Sequence, residues 1–290
     1  MPLATLQFRS LLTNLSHNVR RDAGSLLSRM GHFAAHEARD FITEAWPELL
    51  RPYIDAAGEL TPEWYDGHPS TNTVFVPQPA DPPPDEQLGA NGRWAIGQDD
   101  PHDALGGAGE RAVFNASRDT VLDNVIREDG ARWVREARPG ACNFCKLMAI
   151  RGAVYWTETS ALTVVGRTMA RKRMIPGSSR IGGDDGEVGI KRGTRDYSQS
   201  YHDSCRCIAV PVRPGDSYAM PEYAQSWETD YTDAVDAAKK QQANKGTNRT
   251  VTVKDIINAW DRNDREARGL DEAGAEAQDE NGAVTTFFTP

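Results

Sequence analysis

Cys142-Asn143-Phe144-Cys145 and His202-Asp203-Ser204-Cys205-Arg206-Cys207 are the two stretches that decide the fold of this chain. They hold all four cysteines of its 290 residues, and each stretch places soft metal ligands a few positions apart. Two thiolates in a C-x2-C step can leave one tight turn toward a common point, and the second stretch returns three further donors. Five candidate ligands therefore compete for the roughly four tetrahedral positions of a structural zinc ion.

The setting of the cysteines favours a metal over disulfides. The first residues lack a basic segment followed by an apolar one, so we do not expect secretion. In a reducing cytosol, clustered cysteines are better explained as thiolate ligands than as disulfides. We predict one Zn²⁺ ion bound by Cys142, Cys145 and His202, with Cys205 and Cys207 competing for the fourth position. A thiol cluster without metal and a disulfide remain alternatives.

A zinc ion with four protein ligands would be structural, because no bound water is left to activate. Its binding energy would contribute to folding, since the long 146–201 connection costs loop-closure entropy.

Apolar residues recur at helical spacing near both ends of the chain. In the N-terminal part the first stripe consists of Phe8, Leu11, Leu12, Leu15 and Val19. We expect Gly31 to be a weak point, Pro47 to start a new helix and Thr61 to cap another. Helical spacing returns over 110–126, 221–238 and 253–267.

Short strands are predicted on either side of the cysteine stretches. Residues 131–137 lead toward the first stretch, 153–156 follow it, and 208–212 leave the second. Residues 146–151 should form one or two helical turns that end at Gly152. The pattern predicts an α+β fold with a short antiparallel sheet between helical ends.

Composition divides the chain into five predicted segments. These are a helical N-terminal region (1–70), a Pro/Gly-rich extended linker (71–108), an α+β core (109–213), C-terminal helices (214–269) and a disordered acidic tail (270–290). Within the core, 166–200 is predicted to be a flexible basic excursion.

Charge and hydropathy limit the partners. A net charge of −9 argues against sequence-blind DNA binding by the whole protein, which needs a basic face. Residues 167–195 nevertheless carry eight basic side chains, so local contact with DNA and a solvated loop are both open. No apolar run approaches the ~20 residues that span a bilayer, so we expect no membrane partner.

The cysteine stretches also carry a resemblance to a known family. The residues concerned are Cys142-Asn143-Phe144-Cys145-Lys146-Leu147-Met148-Ala149-Ile150-Arg151-Gly152-Ala153-Val154-Tyr155 and Tyr201-His202-Asp203-Ser204-Cys205-Arg206-Cys207, supported by Glu63-Trp64-Tyr65-Asp66 and by residues 111–121. In order and spacing, over about residues 1–212, the chain resembles the Mu F-like minor head proteins of tailed bacteriophages, in their actinobacteriophage branch.

The resemblance implies a minor capsid, or head morphogenesis, protein that acts in procapsid assembly near the portal. The implied partners are the portal protein, the major capsid protein or a scaffold. The implied location is the virion near the portal vertex, with the host cytoplasm during assembly.

Some relatives in that branch are described as capsid maturation proteases, which implies an alternative function. Its catalytic residues here would be His202, Ser204 and Asp203. Catalytic triads are assembled from distant segments, however, and adjacent residues of a strand point apart. We therefore favour His202 as a metal ligand and assign no catalytic residue.

Overall fold

The computed structural model describes residues 4–150, 206–244, 246 and 250–268. Its helices are α1 (Thr5–Met30), α2 (Ala35–Asp66), α3 (Asp85–Ala95), α4 (Pro101–Arg127), α5 (Asn143–Ala149), α6 (Trp227–Asn244) and α7 (Val253–Ala267). Its strands are β1 (Arg132–Glu136) and β2 (Ile208–Val212), and a short 3-10 helix covers Glu222–Ala224. The predicted α+β class, with helical ends around a short antiparallel sheet, is confirmed.

The chain divides into two compact units. Of the described residues, unit 1 contains those up to Arg138 together with 206–219, and unit 2 contains 139–150 together with those from Met220 onward. The first cysteine stretch therefore belongs to unit 2, whereas Cys207 belongs to unit 1.

In unit 1, α1, α2 and α4 pack around a core of large apolar side chains. Phe8 of α1 stacks on Trp64 of α2 with ring centroids 4.1 Å apart, and both are fully buried. Of the predicted stripe, Phe8, Leu12 and Val19 lie in this core, whereas Leu11 is exposed. Further along α1, the core also contains Ala23, Leu26 and Met30. The helix ends at Met30, next to the weak point expected at Gly31.

The predicted helix starts at Pro47 and Thr61 are wrong, because both residues lie inside the continuous helix α2. An interior proline removes one backbone hydrogen bond and costs about 3 kcal/mol. Burial of Trp46, Leu50 and Ile54 on both sides of Pro47 offsets that loss. Thr61 does not cap a helix, since its hydroxyl donates to the carbonyl of Ala57 at 2.7 Å.

Helices occupy part of the stretch that was predicted to be an extended linker. Residues 85–95 form α3, and the stretch from Pro101 onward opens α4, which Asp100 caps by accepting from the Asp103 amide at 3.0 Å. The glycines here allow close helix packing, not chain freedom. A Cβ on Gly109 would lie 2.1 Å from Val19 Cγ1, and one on Gly92 would lie 2.9 Å from Trp46 Cδ1.

The predicted strands at 131–137 and 208–212 are confirmed as β1 and β2, which pair antiparallel. The register places Trp133 opposite Pro211 and Arg135 opposite Ala209. Every residue of β2 is buried, so this strand lies within the core of unit 1.

In unit 2, the predicted helix over 253–267 is confirmed as α7. The helical turns expected over 146–151 belong to α5, which begins earlier than predicted, at Asn143, and so contains Cys145. Thr252 and Asp255 form a reciprocal cap at the start of α7: the Asp255 amide donates to Thr252 Oγ1 at 3.3 Å, and the Thr252 amide donates to Asp255 Oδ2 at 2.8 Å. The predictions for 153–156, 166–200 and the tail from Leu270 fall outside the described residues.

Candidate functional site

The predicted zinc ligands are distributed over both units. Cys142 is exposed directly before α5, Cys145 is buried within α5, and Cys207 is buried directly before β2. His202 and Cys205 lie outside the described residues, as do Asp203 and Ser204 of the alternative catalytic set. Within the described ranges, no three His, Cys, Asp or Glu side chains come together as a metal site. The zinc site therefore stays a prediction from the sequence.

Buried charged side chains fix the backbone at Cys207. The Arg118 guanidinium on α4 donates to the Cys207 carbonyl from Nε at 2.9 Å and from Nη2 at 2.6 Å. A third donor, Nη1, reaches Asn115 Oδ1 at 2.8 Å. Arg118 is only 2% exposed, so its charge has left water for these contacts. Two hydrogen bonds from one guanidinium restrict the movement of the carbonyl, and they therefore fix the start of β2.

The residue before Cys207 is held in the same way. Arg206 Nε donates to the buried Glu110 carboxylate at 2.6 Å, and the Arg206 carbonyl accepts from Arg9 Nη1 at 3.1 Å. Arg9 also pairs with Glu136 of β1 at 2.7 Å. We call Arg9, Glu110, Arg118, Glu136 and Arg206 the entry anchor of β2.

A second network holds the other end of the strand. Arg213, the residue after β2, donates through Nε to both carboxylate oxygens of Glu128, at 3.2 and 3.1 Å. Glu128 Oε2 also accepts from the Tyr65 hydroxyl at 2.7 Å, and Arg213 Nη1 reaches Asp66 Oδ1 at 3.1 Å. We call Tyr65, Asp66, Glu128 and Arg213 the exit anchor of β2. Burial and the Glu128 carboxylate raise the pKa of Tyr65, so the hydroxyl stays protonated and donates.

His68 lies beside the exit anchor. Its Nδ1 is 2.9 Å from the Trp64 carbonyl, and its ring meets the Trp64 ring edge-on with centroids 4.8 Å apart. Burial lowers the pKa of His68, and the charge of Arg213 adds to that effect, while the Trp64 carbonyl and Asp216 oppose it. The imidazole therefore fits this place in its neutral form.

In unit 2, the first cysteine stretch is held by α7. Asn143 Nδ2 donates to Asp261 Oδ1 at 2.7 Å, and Lys146 Nζ donates to Asp264 Oδ2 at 3.0 Å. The Lys146 ammonium also lies 5.5 Å from the ring centroid of the buried Trp260. Burial raises the pKa of Asp261, although the hydrogen bond from Asn143 works against the rise.

Sequence reasoning missed both anchors of β2. A signal existed on α4, where Glu110, Arg118 and Asn124 recur in phase with the apolar residues Val113 and Val121. A charged residue on an apolar stripe indicates a buried ion pair, because an unpaired charge is seldom buried. Its partner could not be named, since Arg206 and Arg213 are distant in sequence.

Comparison with known proteins identifies the family. A family model described as VG15 protein matches residues 4–234, which is well over half of the chain. The chain belongs to the VG15 protein family. This family is phage-related, so the membership points to a phage protein. The matched residues include both anchors of β2 and end within α6, so α7 lies beyond them.

Neither the curated proteins nor the solved structures contain a match to this chain. Among the described residues, no helix combines the length and apolarity that crossing a membrane requires.

Proposed function

We propose that this member of the VG15 family is a Mu F-like minor capsid protein of a tailed phage that infects an actinobacterium. It would act in procapsid assembly near the portal. The match to a phage-related family over residues 4–234 carries the proposal. The resemblance of the two cysteine stretches to minor head proteins is the basis for the more specific assignment as a minor capsid protein.

The architecture of unit 1 supports an assembly role. Its buried charges are engaged with one another at the two ends of β2, where they position the strand. Near the start of α1, Leu6 is 69% exposed and Leu11 is 38% exposed, and we propose these two side chains as points of contact with a partner. The proposed partners are the portal protein, the major capsid protein or a scaffold.

Assembly in a heterologous host would test this function. The chain would be co-expressed with the phage's major capsid protein and scaffold, with and without the portal protein, and the particles purified by sedimentation. We expect the chain to sediment with procapsids only when portal is present. A matched variant, Leu6→Asp with Leu11→Asp, should fold normally and lose this association. Particles that never carry the chain would contradict the proposal.

The same experiment separates assembly from proteolysis. Cleavage of the major capsid protein that is lost with His202→Ala, yet kept when Cys142 and Cys145 are replaced, would identify a maturation protease instead. Intact capsid protein in every combination is the expected outcome.

The structural zinc ion forms a second part of the proposal. Its support is the concentration of all four cysteines into two clusters and a donor spacing that suits tetrahedral coordination. Elemental analysis of cytosolically purified protein should find one zinc per chain. Chelation should increase protease cleavage within 146–201 while the N-terminal helices stay folded. Well under one zinc per chain, with four titratable thiols and unchanged stability, would refute the site.

A further inference from the structure

Helix α7 contacts the two residues of α5 that directly follow the cysteines of the first stretch. Asn143 follows Cys142 and is bound to Asp261, and Lys146 follows Cys145 and is bound to Asp264. The second contact lies three residues further toward the C-terminus than the first, on α5 and on α7 alike. Residues three apart lie on one face of a helix, so α5 and α7 lie side by side and run in the same direction.

Burial makes these contacts stronger than ordinary surface pairs. Asn143 is 4% exposed, and the Lys146 side chain is 12% exposed in its pair with Asp264. The ammonium also faces the ring of Trp260, which is fully buried one turn before Asp264. Asp264 is 29% exposed, so the pair is only partly shielded from solvent, and each contact restrains α5.

We infer that α7 is a positioning element for the first cysteine stretch: Asp261 and Asp264 hold in place the helical turn that carries Cys142 and Cys145. Each thiol belongs to a residue whose neighbour in sequence is bound to α7. A seven-residue helix is too short to be stable by itself, so α5 depends on such contacts. Since α7 lies beyond the residues matched by the family model, this chain supplies the support from its own C-terminal part.

Hydrogen exchange in the full-length protein, followed by mass spectrometry, tests the inference. We expect Lys146→Met and Asp264→Asn each to speed exchange of the α5 amides about tenfold, because each leaves a partly buried partner without its counterion. Exchange in α4, which belongs to unit 1, should be unchanged. Exchanging the two residues, Lys146→Asp with Asp264→Lys, should recover most of the protection.

The control is an exposed ion pair in the same unit. Lys239 and Asp236 form an exposed pair on α6 at 2.9 Å, so Lys239→Met and Asp236→Asn should leave α5 exchange as in the wild type. Unchanged α5 exchange in Lys146→Met and Asp264→Asn would overturn the inference. An equal acceleration in α4 and α5 would also overturn it, because it would show general destabilisation. All variants are compared after chelation, so that zinc at the cysteines does not contribute to the protection of α5.

Discussion

Gly109 shows how a single residue determines the packing of α1 against α4. A Cβ at this position would meet Val19 Cγ1 at 2.1 Å and Trp46 Cη2 at 3.2 Å, so the Val19 side chain or the helices would have to shift. We expect Gly109→Ala to lower the free energy of unfolding by about 1–3 kcal/mol, as overpacking of a filled core does.

Gly24 provides the matched control for Gly109, since it lies inside α1 and its nearest neighbour, His102 Nδ1, is at 3.8 Å. Gly24→Ala should raise the free energy of unfolding by about 0.5–1 kcal/mol, because alanine favours a helix and nothing resists its methyl group. Urea unfolding of both variants measures whether each substitution raises or lowers the free energy of unfolding. Equal stabilisation by both would mean that Gly109 is not a close contact.

Arg118 determines whether the start of β2 is fixed. Its guanidinium gives two donors to the Cys207 carbonyl, and methionine keeps the apolar stem while removing all of them. We expect Arg118→Met to destabilise the protein by about 2–4 kcal/mol and to expose Cys207, which is now 1% exposed. The alkylation rate of Cys207 in reduced, chelator-treated protein measures the exposure. Arg118→Lys should recover only part of the stability lost in Arg118→Met, since one ammonium cannot reproduce the pair of hydrogen bonds from the planar guanidinium.

At the scale of the element, β2 is a five-residue strand with charged networks at both ends. The exit anchor relies on Arg213, which contacts Glu128, Asp66 and the carbonyl of His68. Arg213→Met leaves the fully buried Glu128 carboxylate without its cation, so we expect a loss of about 3–5 kcal/mol.

The control for Arg213 is the exposed pair between Arg20 and Asp103 at 3.0 Å. Arg20→Met should change stability by less than about 1 kcal/mol. Thermal and urea unfolding of both variants would decide the point, and a similar small effect in each would mean that the exit anchor contributes no more than a surface pair.

At the scale of the whole molecule, local patterns predicted the elements, and tertiary packing determined what was missed. Apolar periodicity was sufficient for α1 and α7, and β-branched runs were sufficient for the two strands. Composition could not show that Gly109 lies in a helix contact. A glycine that allows close packing and a glycine that makes a linker flexible look the same in the sequence. The partners of Glu110 and Glu128 lie 96 and 85 residues away, a distance that no local pattern spans.

His68 makes the stability of the folded chain depend on pH. Because its folded pKa lies below the ordinary 6.5, the unfolded chain takes up a proton more readily than the folded one as pH falls. The stabilisation from neutral His68 is complete above about pH 6.5 and is lost as pH falls through the folded pKa. Between pH 7.5 and 5.5 this one group can remove at most about 1.4 kcal/mol. Charges facing it are Arg213, which strengthens the effect, and Asp216, which weakens it.

Urea unfolding of the wild type and of His68→Gln at both pH values measures that contribution. The variant should lose less stability between pH 7.5 and 5.5 than the wild type, whatever its absolute stability, since glutamine does not titrate. If His68→Gln and the wild type lose the same free energy, the imidazole does not resist protonation, and the acid sensitivity of the fold belongs to other groups.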